Sequence, residues 1–579
     1  MNRTYFIGLS VTFHDPAIAI LDPAGKVLFA EATERYLQLK RALNCEPDSL
    51  YQITSLLKEY CPDAEALEIG FNWRRERPFY EHFCSATEYF TGPGLMRARF
   101  AERKTFLEKY KIFHMLGCQS QAMAAAGIHL ARRVREDFPR LKLNFQHFDH
   151  HLSHAAFACF ASPFSEAQCL VVDSFGEHGS LAFYHYRDGR LRLIRAPRGI
   201  ESLGFFYMKL TELCSFDWMK GEEWKVMGLA PYGSLNPEIY HLFQAMIQVD
   251  ELGLQQNLSE LRRGMAILED QYRGCQAMQA TDLAFTGQYF FAELVSRLLK
   301  NFRALGFSEN LVLCGGCALN SSMNGQLLAR TGYKNLYVPP APADDGTALG
   351  AAVLAYDRVS SQPRSIEPHA ISPYLGSEIS EDALSRLIRY GKGFQIQHLP
   401  ENIEEHSAQL IAQGKLLGWM QGRAEFGPRA LGNRSILADP RDPEMKQKIN
   451  AKVKFREEFR PFAPSVLHEF GEQYFENYVE TPYMERALRF RPEVRDRVPA
   501  VVHIDQSGRL QSVKFDSNPR FYRLIQSFHR ISGVPIVLNT SFNMMGKPII
   551  HCVEDAVGVF LTTGLDALAI GDYLISKPI

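Results

Sequence analysis

The sequence predicts an α/β protein of at least two domains with an internal duplication near its N-terminus. Its 579 residues exceed what one hydrophobic core usually serves. The runs YFIGLS, AIAILD and VLFAEA are separated by short turns, and LVVDS, SLAFYHY and LRLIRA repeat this arrangement. We therefore expect two related three-stranded meanders, although two unrelated hairpins would give the same pattern. His14 and Asp15 occupy the first turn of one meander, and Glu177 and His178 that of the other, where a ligand could lie between two halves.

Strand-turn-helix units follow the second meander. Residues 234–304 have helical periodicity, and LVLCGGCALNSSMNGQLLA and NLYVPPAPADDGTALGAAVLAY each read as a strand, a loop or glycine turn, and a helix. The glycine pair Gly315 and Gly316 would let the backbone approach a phosphate or ribose, and the following helix N-terminus favours an anion. This turn is a candidate nucleotide-binding element.

The stretch His150-His151-Leu152-Ser153-His154 is a candidate metal site. If HHLSHAAFACFA is helical, His150 and His154 lie on one face and can bind one ion, while His151 points elsewhere. Asp173 ends the apolar strand LVV, where rigid scaffolds present carboxylates, so it is placed like a further ligand. The alternative is that the three histidines are solvated or cap the start of a helix.

The C-terminal part predicts an anion pocket built from loops. Residues 357–373 lack periodicity and contain three prolines, so we place a linker there. Cations then concentrate among glycine, proline and phenylalanine residues: Arg423, Arg429, Arg434, Lys452, Lys454, Arg456 and Arg460. Arginines that converge on one cleft repel one another unless an anion fills it. A solvated basic face is the alternative. Further on, GVPIVLNTSFNMMGKPII predicts a strand that leads to Ser541 and Asn543 as nucleotide contacts, or to a polar hairpin.

Composition excludes several classes of protein. The net charge of −1, with 22% charged residues, argues against a dedicated nucleic-acid or membrane-surface binder. No run approaches eighteen apolar residues and no signal peptide is readable, so we expect a cytoplasmic protein. The eleven cysteines lack the spacing of a disulfide framework. We interpret the pair Cys314 and Cys317 as packing around a tight turn rather than as a redox or zinc site.

Seven motifs, in order, resemble the O-carbamoyltransferases of nodulation-factor, cephem-antibiotic and aminoglycoside tailoring: HHLSHAAFACFASPF, GEEWKVMGLAPYG, CGGCALN, PADDGTALGAA, EFGPRALGNRSILADPRDP, REEFRPFAPSV and LNTSFNMMGKPI. The resemblance covers nearly the whole chain. It implies a duplicated actin-like ATPase (ASKHA) domain at residues 1–356, a linker at 357–373 and an α+β YrdC-like domain at 374–579. The C-terminal domain would make carbamoyl-adenylate from carbamoyl phosphate and ATP, with Mg(II). The N-terminal domain would transfer the carbamoyl group to a hydroxyl of a small-molecule natural-product intermediate.

The resemblance also assigns roles to individual residues. It implies a divalent metal, Fe(II), bound by His150, His154, Asp173 and Asp344, and it makes His14 a candidate base for the acceptor hydroxyl. Arg429, Lys454, Arg460 and Arg509 match the pocket for carbamoyl phosphate and nucleotide phosphates, with Ser541 and Asn543 beside the nucleotide. Further candidates for substrate or nucleotide binding are Lys225, Gly315, Gly316, Asn320 and Arg423.

The chain departs from the family pattern at two places. Lys547 stands where members often have glutamate, which leaves its role open. Residues 505–511 read DQSGRLQ instead of D-G-T-A-R-x-Q, which weakens the assignment of Arg509.

Three other functions are considered. A tRNA threonylcarbamoyl-transfer protein would need a basic surface for its polyanion. A hydrogenase-maturation carbamoyltransferase would need an acylphosphatase-like unit and paired C-x-x-C segments. A non-enzymatic actin-like nucleotide-binding module would have no use for the arginine-rich pocket. We expect a small-molecule hydroxyl acceptor as partner, no nucleic acid and no membrane, with a homodimer left open. Acceptor contacts are expected from loops around residues 70–110 and 234–285, and the acceptor itself is not identified.

Overall fold

The computed structural model describes residues 3–74, 119, 121–199, 201–360 and 371–577, within which we number helices and strands in chain order. The first sheet contains strands β1 to β5, at Thr4–Ser10, Ala17–Leu21, Val27–Ala32, Ala66–Phe71 and Lys142–His147. Its order is β3-β2-β1-β4-β5, with β1 antiparallel to β2 and parallel to β4.

A second sheet repeats the first. Strands β6 to β8 form its meander, at Glu166–Val172, Leu181–Arg187 and Arg190–Arg195, and β11 and β12 lie at Asn310–Cys314 and Asn335–Tyr337. The order β12-β11-β6-β7-β8 matches the first sheet strand for strand, including the parallel pairing of β6 with β11. The predicted duplication is therefore confirmed. Strands β1, β2 and β6 are almost wholly buried, as expected for sheets covered on both faces.

The helices of the N-terminal region are numbered α1 to α11. They span Thr33–Leu37, Ile53–Tyr60, Ile128–Asp137, His150–Ala161, Leu203–Leu213, Glu223–Leu229, Pro237–Met246, Leu258–Tyr272, Thr281–Arg303, Ser321–Thr331 and Thr347–Val359. The helical periodicity predicted for residues 234–304 corresponds to three helices, α7, α8 and α9, with one interruption by strands. A hairpin of β9 (Ile247–Asp250) and β10 (Gly253–Gln256) separates α7 from α8. Its two short strands turn at Glu251, whose φ is +48°.

Helices α4 and α11 cross at the centre of the N-terminal region. A Cβ atom at Gly350 in α11 would lie 1.8 Å from the carbonyl oxygen of Ser153 in α4, so only glycine permits this approach. The crossing brings the turn at Asp344–Gly346, which precedes α11, next to the histidines of α4. None of the helices within the described ranges is long and apolar enough to cross a membrane.

The C-terminal region is built on an eight-stranded sheet. Strands β13 to β22 lie at Gln395–His398, Leu417–Met420, Arg434–Ala438, Ala463–Leu467, Ala487–Arg489, Ser507–Arg509, Gln511–Val513, Ile536–Ser541, Ala567–Ile570 and Tyr573–Ser576. The order is β13-β22-β21-β14-β15-β20-β16-β19, while β17 and β18 form a separate pair. Helices α12 to α17 span Glu381–Tyr390, Ile403–Ala412, Met445–Ile449, Gly471–Tyr474, Pro519–Ser532 and Val553–Thr562. A separate apolar core, centred on Trp419 and Phe528, fills this region.

The linker predicted at residues 357–373 is described only at its ends. Residues 357–359 belong to helix α11, and residues 361–370 lie outside the described ranges. The predicted boundary between the domains therefore stays a prediction.

A buried ion pair joins the two regions. Nε2 of His551 lies 3.2 Å from a carboxylate oxygen of Glu31 in β3, and Ser377 donates hydrogen bonds to the same carboxylate. Burial alone would raise the pKa of Glu31, but the charge of His551 outweighs it and lowers the pKa to about 2. Burial would lower the pKa of His551, but Glu31 raises it to about 10.

Replacing His551 should destabilise the protein in a pH-dependent way. We expect His551→Ala to lower the free energy of unfolding by about 3 kcal/mol, because Glu31 would stay buried without its cation. The contribution of the His551 imidazolium to the free energy of unfolding is complete below the ordinary pKa of 6.5 and is lost as pH rises through about 10. The Glu31 contribution is complete above its ordinary pKa of 4.5 and is lost as pH falls through about 2. Urea unfolding should therefore show the largest difference between pH 4.5 and 6.5; a difference that grows towards pH 10 would contradict this account.

Candidate active site

Four buried side chains form a compact cluster that could hold a metal ion. One ligand atom each from His150, His154, Asp173 and Asp344 lies within 4.8 Å of the others. Nε2 of His150 is 3.1 Å from Oδ2 of Asp173, and Nε2 of His154 is 3.4 Å from Oδ1 of Asp344. Two imidazole nitrogens and two carboxylate oxygens suit a first-row divalent ion such as Fe(II). The structure thus brings all four predicted ligands together.

Local structure explains how these side chains converge. HHLSHAAFACFA forms α4 as predicted, and Asp149 caps its N-terminus by accepting a hydrogen bond from the amide of Leu152. The carboxylate of Glu177 accepts a hydrogen bond from the amide of His150. Asp173 directly follows β6, as the sequence indicates.

Charge within the cluster favours a bound cation. Burial opposes the charged form of His154, but hydrogen bonds to Asp173 and Asp344 raise its pKa to about 9. Burial also opposes the charged form of Asp173, whose pKa the two histidines hold well below its ordinary value. The two carboxylates therefore stay anionic and require positive charge beside them, which protons or a metal ion can supply.

His151 points away from this cluster, as its position on the helix predicts. Its Nε2 lies beside Gly176, where a Cβ atom would be 2.8 Å away. Burial and the neighbouring His150 lower the pKa of His151 to about 4, so this side chain is neutral.

A cavity of about 510 Å³ connects the cluster to the C-terminal region. Asp173, Asp344 and His14 line one part, and the opposite wall comes from residues beyond 426. The side chains that line it are mostly acidic on the N-terminal side and mostly basic on the C-terminal side. On the N-terminal side the lining carboxylates are Asp15, Glu34, Asp173, Glu223, Asp344 and Asp345, beside the cations Lys40 and Arg41. On the C-terminal side the cations are Arg429, Lys454, Arg456, Arg460, Arg509 and Lys547, beside the single described carboxylate Asp505.

The C-terminal cations are poorly neutralised. Within the described residues, Nη2 of Arg456 and Nε of Arg460 and Arg509 are buried and have no hydrogen-bond partner. Burial, together with the charge of Arg509, holds the pKa of Arg429 well below its ordinary value. Buried cations with free N–H groups in one cavity are a site for a polyanion such as a phosphate ester.

Lys454 organises the edge of this pocket. Its Nζ donates hydrogen bonds to the carbonyl oxygen of Ser541 and to Oδ1 of Asn543, the latter at 2.7 Å. Both partners line the cavity at the end of β20. Burial and the nearby arginines hold the pKa of Lys454 well below its ordinary value, which a bound anion would reverse.

His14 lies where the two parts of the site meet. Its Nδ1 is 2.9 Å from Oδ2 of Asp15 and 3.6 Å from Oδ2 of Asp344. Asp15 has a left-handed backbone with φ of +52°, and Arg41 Nε lies 3.4 Å from its carboxylate. The carboxylate orients the Nδ1 edge of the imidazole, which leaves Nε2 as the nitrogen available for proton transfer.

Gly316 and Asn320 line the cavity, whereas Gly315 does not. Gly315 has φ of +90°, and a Cβ atom there would lie 2.3 Å from the carbonyl oxygen of Val172. The amide of Gly316 donates a hydrogen bond to Asp173 at 3.2 Å. The thiols of Cys314 and Cys317 are not joined in a disulfide.

Several predicted site residues have other partners. Arg423 donates to the carbonyl oxygens of Leu28, Leu375 and Gly376 and does not line the cavity. Arg434 is buried and likewise donates to backbone carbonyls. Lys225 forms ion pairs with Glu222 and Glu457 and does not line the cavity either. These three cations fix the backbone or the domain contact, so the structure does not support direct binding of substrate by them.

The structure bears differently on the two loops that were predicted to contact the acceptor. Residues 75–110 lie outside the described residues. Residues 234–285 form α7, the hairpin, α8 and the start of α9, and none of them lines the cavity. The aromatic residues that do line its N-terminal side are Phe13, Phe205, Tyr207, Trp218, Trp224 and Phe291.

Glu425 is a positioning residue that the sequence did not reveal. One of its carboxylate oxygens accepts hydrogen bonds from the amides of Leu431, Asn433 and Arg434. It thereby shapes the loop that carries Arg429 into the cavity. A lone glutamate in an arginine-rich segment gave no signal of this role.

Comparison with known proteins places the chain in a family. A family model described as "Carbamoyltransferase N-terminus" matches residues 5–353, and one described as "Carbamoyltransferase C-terminus" matches residues 408–577. The chain belongs to the carbamoyltransferase family. This carbamoyltransferase is 36% identical to nodulation protein NolNO of Sinorhizobium fredii, over 74% of its own length and 63% of that protein's length. It is 35% identical to nodulation protein NolO of Bradyrhizobium diazoefficiens, over 74% of its own length and 79% of that protein's length. The chain is thus a transferase enzyme.

Solved structures resemble the chain only distantly. Full-length HypF in its phosphate- and nucleotide-bound form is 12% identical, with a TM-score of 0.36, over 62% of this chain and 57% of that one. A ROK family glucokinase from Streptomyces griseus is 11% identical, with a TM-score of 0.27, over 61% of this chain and 99% of that one. The strand order of the two sheets carries the assignment of the fold instead. The carbamoyltransferase has an N-terminal region with two α/β sheets of matching strand order, followed by a C-terminal region built on a mixed eight-stranded sheet.

Proposed function

We propose that this carbamoyltransferase is ATP-dependent and works in two steps. The C-terminal domain, YrdC-like in this proposal, forms carbamoyl-adenylate from carbamoyl phosphate and ATP, and the N-terminal domain passes the carbamoyl group to a hydroxyl of a small-molecule natural-product intermediate. One observation carries the proposal. A single cavity is lined on one side by cations with unpartnered N–H groups and on the other by Asp173 and Asp344, the two carboxylates of the cluster that includes His150 and His154.

The cationic side suits the first step. Water would first cleave carbamoyl phosphate into carbamate and phosphate. An oxygen of the carbamate would then attack the α-phosphorus of ATP, and the bond to the pyrophosphate oxygen would break, which gives carbamoyl-adenylate and pyrophosphate. Negative charge then grows on the leaving pyrophosphate. Arg429, Arg460 and Arg509 line the cavity and can neutralise it, and the Nε atoms of Arg460 and Arg509 are buried without a hydrogen-bond partner among the described residues. Ser541 and Asn543 offer polar contacts to the nucleotide.

The N-terminal side suits the second step. The acceptor oxygen attacks the carbamoyl carbon, its proton leaves, and AMP is released as the bond to the phosphate oxygen breaks. Nε2 of His14 can accept the proton while Asp15 holds Nδ1. His150, His154, Asp173 and Asp344 would hold a divalent ion, Fe(II) in this proposal, whose positive charge would polarise the anhydride when bound.

A shared cavity has a chemical advantage for this pathway. A mixed anhydride reacts with water as well as with the acceptor. Because His14, Asp173 and Asp344 line the same cavity as the C-terminal cations, we propose that the intermediate passes between the two sides without entering bulk solvent. The acceptor can be sought by incubating hydroxylated natural-product intermediates with ATP and carbamoyl phosphate and recording the mass gain of one carbamoyl group.

Replacing His14 should impair only the second step. We expect His14→Asn to lower carbamoyl transfer at saturating acceptor by at least about tenfold, as loss of general-base assistance does. Metal content and carbamoyl-adenylate formation should be unchanged, because His14 is not among the four ligands. Steady-state kinetics with metal analysis of the same sample checks this. Transfer at the normal rate would mean that His14 only braces its turn through Asp15.

A further inference from the structure

The segment 455–461 of the C-terminal domain docks on helix α6 of the N-terminal domain. Phe459 is buried in the apolar core of the N-terminal domain, and its ring centre lies 6.0 Å from that of Phe216. Pro461 lies beside Gly228 of α6, whose carbonyl oxygen is 3.1 Å from Nε2 of His503. This contact is built from packed apolar groups, so it holds the segment in one place.

Arg460 leaves this segment to enter the cavity. Its guanidinium carbon lies 3.9 Å from the ring centre of Trp224, the second residue of α6. This distance is typical of a strong cation–π contact. Both side chains line the cavity, one from each domain.

A carboxylate fixes the other side of Arg460. Glu457 lies 3.0 Å from Nη1 of Arg460, and its other oxygen is 2.9 Å from Nζ of Lys225 in α6. Lys225 is held in turn by Glu222 at 2.7 Å. The Glu457 carboxylate therefore forms ion pairs with Arg460 of the C-terminal domain and Lys225 of the N-terminal domain. Lys225 thus contributes to the contact between the domains rather than to substrate binding.

These contacts leave Nε of Arg460 without a partner among the described residues. This nitrogen is buried, whereas Nη1 and the ring face are occupied. An unrestrained arginine side chain samples many rotamers and loses this conformational entropy when it binds an anion. Packing that already excludes some rotamers lowers the entropy cost of anion binding. The contacts therefore restrict the rotamers of Arg460 while Nε stays unpartnered.

We propose that Trp224 is a positioning residue for the first step, although it belongs to the N-terminal domain. Its ring holds Arg460 in the orientation in which Nε contacts a phosphate group of the substrates, and Glu457 fixes the rotation of the guanidinium. The anion pocket of the C-terminal domain is thus completed by helix α6. This inference rests on the proposed function and adds to it that the first step requires the N-terminal domain.

The test compares Trp224→Leu, Trp224→Phe and Arg460→Ala in the full chain, with pyrophosphate release as the assay. Trp224→Leu keeps an apolar side chain but removes the aromatic face, so KM for carbamoyl phosphate or ATP should rise about five- to thirtyfold. Trp224→Phe should restore part of this loss. The double variant Trp224→Leu/Arg460→Ala should be no worse than Arg460→Ala alone, because Trp224 acts through Arg460.

The matched control is Tyr289→Leu, which removes a similar contact elsewhere in the N-terminal domain. Tyr289 stacks with Arg330 at 5.7 Å, and neither residue lines the cavity. The Tyr289→Leu variant should leave the KM values for carbamoyl phosphate and ATP unchanged. Normal KM values in Trp224→Leu, or losses that add in the double variant, would overturn the inference. A wild-type enzyme that releases no pyrophosphate would instead overturn the proposed function on which the inference rests.

Discussion

Arg429→Ala and Lys454→Ala are each expected to lower carbamoyl-adenylate formation by about 10²- to 10³-fold. Each removes one charged donor from a buried pocket in which negative charge grows as pyrophosphate leaves. Lys454→Ala should have an additional effect, because Lys454 also holds Ser541 and Asn543 at the end of β20. The measurement is pyrophosphate release with carbamoyl phosphate and ATP.

Lys452→Ala is the control for this comparison. Lys452 lies two residues from Lys454, but it is exposed and does not line the cavity. Its replacement should leave the rate of adenylate formation within about twofold of wild type, as a surface change usually does. Equal effects of Lys452→Ala and Lys454→Ala would show that general positive charge, rather than the pocket, matters.

His150→Ala and Asp344→Ala should abolish the second step, carbamoyl transfer, and leave the first step intact. Each removes one of four ligands, so the bound metal should fall well below one per chain, and transfer to the acceptor should be lost. Formation of carbamoyl-adenylate should persist, because the cationic wall is unchanged. Metal analysis and the two half-reaction assays on the same preparation provide the measurement.

His151→Ala is the matched control on the same helix. His151 is buried and adjacent to His150, but its ring lies against Gly176 and outside the cluster of four. This variant should keep more metal than His150→Ala. Loss of both half-reactions in a well-folded His150→Ala protein, or greater metal loss in His151→Ala, would contradict the ligand assignment.

Much of the fold could be predicted because its central strands are buried on both faces. YFIGLS and LVV are continuous apolar runs, and the turns between the meander strands contain glycine, proline or charged residues. The interruption by strands within residues 234–304 was not predicted, for a physical reason. The hairpin at Ile247–Gln256 is only ten residues long, and the strong helical pattern of α9 behind it dominates a long window.

The candidate site could be predicted where chemistry and spacing coincide. His150 and His154 share a helix face, and Asp173 ends a buried strand. The roles of the charged residues were harder to predict, because charge alone does not show which group a side chain contacts. Arg423 and Arg434 satisfy backbone carbonyls of loops that only the folded chain brings together. The contact of Glu457 with Lys225 joins residues 232 positions apart, which no local pattern indicates.

The products of ATP turnover test the central claim most directly. The purified enzyme should be incubated with ATP and carbamoyl phosphate, with and without an acceptor, and the nucleotide and phosphate products separated. With an acceptor we predict AMP and pyrophosphate, and without one carbamoyl-adenylate and pyrophosphate. Both outcomes should require carbamoyl phosphate and give no accumulation of ADP, since the adenylate step breaks the bond between the α-phosphorus and the pyrophosphate oxygen. An enzyme that yields only ADP and phosphate would contradict the account.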